Sequence, residues 1–128
     1  MPGKELIKRM RKLVTIGTVL LGLALIGLGV HVLWPAIASK GYGMPIGDDN
    51  PGYLLAAGAR DAALGLMALG ILVWHRRTLP LFLSCLVLVP LADVAIVMAH
   101  GTGLKGIGPH AFGTVGLVVL AAMAWRVR

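Results

Sequence analysis

Charge is scarce in this sequence: 13% of its 128 residues are Asp, Glu, Lys or Arg, against roughly 25% in an ordinary globular chain. A water-soluble fold of this length needs more polar surface than that, so the composition excludes one. Acids are the scarcer sign, five against twelve Lys and Arg. Cysteine is nearly absent. Cys85 has no second thiol, which excludes an intrachain disulfide and a cysteine metal cluster. A nucleic-acid binder gathers its cations on a solvated face beside aromatics or polar base readers. Here aromatics are 5% of the chain and the cations sit at the edges of apolar runs, so the formal charge of +7 does not indicate nucleic acid. Internal repeats, low-complexity stretches and phosphate-cradling glycine patterns are also missing, and no cofactor is expected.

What is present is apolar sequence, 58% of the chain. Four runs, 13–34, 53–74, 79–99 and 107–125, reach or approach the ~20 residues that cross ~30 Å of hydrocarbon at about 1.5 Å per residue. The first exceeds a signal-peptide core and lacks a small-residue cleavage site after it, so it reads as a retained helix. The expected fold is all-α, an integral membrane four-helix bundle forming one domain over 1–128. The head carries Lys4, Lys8, Arg9, Arg11 and Lys12, the middle turn Arg76 and Arg77, and the tail Arg126 and Arg128. These three segments share a side if all four runs span, and the positive-inside rule puts that side, with both termini, in the cytoplasm. Segment 39–52, holding Lys40, Tyr42, Asp48 and Asp49, reads as a turn-rich outer loop. Tyr42, Tyr53, Trp34, Trp74 and Trp125 read as interfacial anchors.

Charged side chains inside a span cost about 2.5–3.5 kcal/mol each at a helix centre, so each needs a reason. Arg60, Asp61 and Asp93 are such residues. Counting from the outer helix ends puts Arg60 and Asp61 ~10–12 Å deep and Asp93 ~9 Å deep. His31, His100 and His110 fall in the same outer half, while the inner halves hold no ionisable group. Asp61 shares a face with Gly58 and Gly65, where another helix can approach. Arg60 points ~100° away and is expected to reach Asp93 rather than Asp61. Pro90 is expected to bend the third helix beside Asp93.

The stretch GARDAALGLMALG with its following basic turn, then VPLADVAIVMAHG and PHAFG, resembles a family of small bacterial and fungal four-helix membrane proteins catalogued as a domain of unknown function (4267-like). The resemblance covers about 53–113. It implies a single four-helix domain with Arg60, Asp61, Asp93 and His110 as its polar positions, and it implies no activity.

Two carboxylates beside one guanidinium suit acid/base chemistry, one aspartate acting as acid, the other as base, with His110 relaying protons at the mouth. On this reading Arg60, Asp61, Asp93 and His110 are catalytic, and an outward-facing pocket isomerises, cyclises or hydrolyses a lipophilic molecule drawn from the bilayer. In residue types alone the set resembles that of soluble epoxide-opening enzymes. No HxxxH or HxxE spacing occurs on one helix face, so no metal site is expected. Two alternatives stay open: a non-catalytic binder or carrier with Arg60 as the anion contact, and an accessory subunit whose charges serve helix assembly. Expected partners are membrane lipids and a lipophilic small molecule, with a homo-oligomer left open.

Overall fold

The computed structural model describes residues 2–34, 37–38 and 52–128. The apolar runs become helices: α1 is Pro2–His31, α2 is Gly52–Trp74, α3 is Leu79–Leu86, α4 is Leu88–His100 and α5 is Gly108–Arg126. Four stretches, Gly3–His31, Gly52–Trp74, Arg76–His100 and Gly108–Arg126, are long and apolar enough to cross a membrane. The chain is therefore an all-α, multi-pass membrane protein. Its outer faces agree, since Leu20, Leu66, Val73 and Leu88 are each more than 60% exposed, an arrangement that suits lipid and not water.

Two helix boundaries depart from the hydropathy reading. α1 starts at Pro2 rather than at 13, so the basic head is helical. Proline is at home in a first helical turn, and Lys, Arg and Glu are good helix formers; Lys8 also pairs with Glu5 at 3.2 Å. At 30 residues, α1 runs about 45 Å, longer than the hydrocarbon core, and its head projects beyond the apolar layer. The third span is interrupted at Val87 between α3 and α4, one turn before Pro90. Proline lacks the N–H that would bond the carbonyl of Leu86, and its ring presses on that same turn. The expected outer loop over 39–52 lies outside the described residues except for Gly52. The second connection, after His100, contains a 3-10 turn, Gly103–Lys105, in which Gly103 takes φ +62°, a left-handed conformation that calls for glycine.

The helices close a ring in which α1 packs on α2, α2 meets α3, the α3–α4 pair packs on α5, and α5 returns to α1. The α1–α2 seam is built on glycine. A Cβ at Gly65 would come within 2.6 Å of the Gly22 carbonyl oxygen, and one at Gly29 within 2.7 Å of that of Gly58. A Cβ at Gly58 would collide with Val32. The facing glycines are two turns apart on each helix, so the antiparallel seam repeats once. In lipid, where apolar side chains gain nothing by leaving the solvent, such close backbone approach is what holds helices together. A core of Val14, Leu72, Leu83, Leu86, Leu117 and Ala121 and a smaller cluster around Val32, Leu54 and Ala57 fill the bundle. Buried Thr18 satisfies its hydroxyl by donating to the Val14 carbonyl at 2.7 Å.

The seam predicts opposite outcomes for two small substitutions. Gly65→Ala should destabilise by about 1–3 kcal/mol through overpacking. Gly116→Ala, on α5 with nothing within 4 Å of its added Cβ, should be neutral or stabilising by up to roughly 1 kcal/mol. Thermal unfolding of the two variants in detergent checks this; equal melting would mean that α1 and α2 do not approach so closely.

Candidate functional site

α2 carries Arg60 and Asp61 a little over two turns from its start, α4 carries Asp93 at mid-length, and α5 presents His110 in its first turn. The geometry brings these four side chains together. Arg60 donates from Nη1 to Asp93 Oδ1 at 2.8 Å and from Nη2 to Asp93 Oδ2 at 2.9 Å. This is the two-pronged guanidinium–carboxylate arrangement, the strongest geometry such a pair can take. Arg60 Nε also donates to Asp61 Oδ1 at 2.9 Å, with Nη2 at 2.9 Å from the same oxygen. His110 Nδ1 lies 3.7 Å from Asp93 Oδ2, longer than a direct hydrogen bond. The two carboxylates are nearly closed off, at 4% and 6% side-chain exposure, whereas Arg60 is 33% exposed.

The contact with Asp61 corrects the expectation that Arg60 would pass it by. A 100° offset between neighbours fixes where the two stems leave the helix, but the arginine stem is long enough to curl back so that Nε passes over the adjacent carboxylate. The reach to Asp93 is as expected. α4 packs chiefly against α5, so Arg60 bridges from α2 to α4 by side chain where the helices have little backbone contact. Its guanidinium also fills the place between the carboxylates that a cation would take.

Tyr53 belongs beside this group, although its sequence position suggests only an interfacial anchor. It is half-buried against the apolar cluster around Val32, Leu54 and Ala57, and its phenol lies in the electrostatic field of Asp93, Arg60 and Asp61. The signal was its spacing: Tyr53 precedes Arg60 by seven residues, two helical turns, and so shares its face. His31 and His100 end α1 and α4, and neither is among the described partners of Arg60. Toward the Arg76–Thr78 turn the bundle is filled by the apolar core around Leu83 and Leu117.

The chain matches a family described as "Domain of unknown function (DUF4267)" over residues 13–125. No curated protein and no solved structure matches it.

Arg60 is the sole guanidinium joining the two buried carboxylates among the described residues, and removing one partner of a buried pair costs about 3–5 kcal/mol. Arg60→Met should lower the melting temperature in detergent accordingly. Adding Asp93→Asn to the same chain should recover part of the loss, as a double-mutant cycle would read. If Arg60→Met melts with the wild type, the carboxylates do not depend on the bridge.

Proposed function

The chain belongs to the DUF4267 family, whose function is unknown, and we propose from its own residues that the Asp61–Arg60–Asp93 set is an acid/base site acting on a lipophilic small molecule that reaches it from the bilayer. The observation that carries this reading is the convergence of two buried carboxylates, a guanidinium and an imidazole from three helices in an otherwise apolar bundle. Intramembrane ionisable groups are expensive, and assembling four at one place calls for a use.

Arg60 meets the two carboxylates differently, both oxygens of Asp93 and one of Asp61. In this reading one aspartate would donate a proton to the oxygen of an epoxide or carbonyl, or to an alkene carbon, while the other takes a proton from carbon or from water. His110 would pass that proton onward, and Tyr53 would orient the substrate oxygen. Isomerisation, cyclisation and hydrolysis all follow from such a pair. A specific observation favours a second reading, an ion-pair scaffold: each of the three Arg60 nitrogens already faces an aspartate. The same saturation makes Arg60 a poor anion receptor for a carrier.

Conversion of a panel of lipophilic epoxides and ketones by the purified protein, followed by mass spectrometry, tests the proposal. Asp61→Asn and Asp93→Asn should each lose on the order of 10²–10⁴-fold in turnover, measured below the melting temperature of each variant. Retained turnover together with lowered melting would leave the scaffold instead.

We further propose that the head, the turn at Arg76–Thr78 and the tail face the cytoplasm, on the strength of their excess of Lys and Arg. On a Cys85→Ala background, a membrane-impermeant thiol reagent should label Leu104→Cys from outside the cell and Thr78→Cys only after lysis. The reverse pattern would invert the topology.

A further inference from the structure

The end of the bundle opposite the Arg60 site holds a second charged feature, made almost entirely of cations. Head, middle turn and tail together contain nine of the twelve Lys and Arg residues and one of the five acids, Glu5, so this end carries +8 and the rest of the chain −1. The fold gathers part of that charge around a cavity of about 360 Å³ between α1, the Arg76–Thr78 turn and the C-terminus, lined by Arg11, Arg76, Arg77 and Arg128. Among the described residues, no Asp or Glu side chain lines it. Glu5 is turned to Lys8 on the exposed face of α1.

Several of these arginines are held in place. Arg76 donates from Nε to the Leu72 carbonyl at 3.2 Å and from Nη2 to Thr15 Oγ1 at 2.9 Å. Thr15 is fixed in turn by donating to the Arg11 carbonyl at 2.9 Å. Arg11 Nε donates to the Val127 carbonyl at 3.3 Å, tying the head of α1 to the tail. Arg128 stacks 5.3 Å from the centre of the Trp125 ring, whose Nε1 donates to Ser84. Where Arg60 meets two carboxylates, the arginines here meet carbonyls, a hydroxyl and a ring. Among the described residues, no Asp or Glu side chain forms an ion pair with them.

We propose that this cavity binds the phosphate-bearing headgroup of an anionic phospholipid. Guanidinium groups match phosphate oxygens in geometry as well as charge. Basic pockets between membrane helices at the cytoplasmic surface are suited to such headgroups. The remaining wall, including Val14, Leu72 and Leu79, is apolar, which suits the glycerol and upper acyl chain of a lipid better than free phosphate. Exposed Trp74 and Trp125 lie at this same end, as rings do at headgroup depth. The volume falls near the lower end of small-molecule sites, roughly 300–1,000 Å³, enough for a headgroup and not for a whole lipid.

The test uses the full chain in neutral detergent, titrated separately with short-chain phosphatidylglycerol, short-chain phosphatidylcholine and inorganic phosphate, reading melting temperature and lipid retained in native mass spectrometry. Phosphatidylglycerol should raise the melting temperature and remain bound, phosphatidylcholine should do neither, and inorganic phosphate should protect only weakly. Arg77→Gln and Arg128→Gln should each weaken phosphatidylglycerol binding about fivefold, while Lys105→Gln, at the other end, should not. Arg76→Gln also loses the bonds to Leu72 and Thr15, so the Arg77 and Arg128 variants are the decisive ones. Equal binding of both lipids, unchanged affinity in those two variants, or protection by inorganic phosphate without lipid retention would each overturn the proposal.

Discussion

A carboxylate buried in an apolar bundle must be neutralised, and the half of this protein that holds Asp61 and Asp93 is organised around that requirement. Asp61 and Asp93 come from different spans and are both nearly closed to solvent, and one guanidinium serves them together. Its fork takes both oxygens of Asp93 while its inner edge takes Asp61. The bond thereby links α2 to α4, whose backbones have few other contacts. Coulomb attraction in a low-dielectric interior supplies the strength, and the planar donor set supplies the geometry.

That bridge needs a rigid base, which the glycine seam provides. Because Gly22, Gly29, Gly58 and Gly65 bring α1 and α2 nearly into backbone contact, α2 has little freedom to rotate or slide. Arg60 and Asp61 therefore face a set direction. Asp61 lies on the seam side with Gly58 and Gly65, where it is buried, and Arg60 emerges beside it, partly exposed. The interruption before Pro90 divides the third span, so α3 packs in the core around Leu83 and Leu117 while α4 carries Asp93 to the bridge.

The two ends of the bundle handle charge differently. Around Arg60, positive and negative groups meet inside the protein, and an imidazole stands next to one of them. At the basic end the cations are anchored on backbone carbonyls, a threonine hydroxyl and an indole ring.

Much of this could be read from the chain alone. Helix number and class follow from run length, since a backbone in hydrocarbon must bond to itself and about twenty apolar residues suffice to cross. Arg60, Asp61 and Asp93 stand out because charge within such a run is costly, and counting turns places them at one depth. The helical head was hidden, because hydropathy marks where lipid ends and not where the helix ends. Which partners Arg60 chooses was also hidden, because a long flexible side chain is steered by contacts rather than by its position on the helix. The place of Tyr53 beside the charges, the pairing of Gly22 with Gly65 and Gly29 with Gly58, and the joining of arginines from three distant segments around one cavity depend on how helices face one another across the bundle. Local sequence determined which residues are helical, apolar or charged; only the packing of the helices decided which of them meet, because that depends on rotation and approach between segments far apart in the chain.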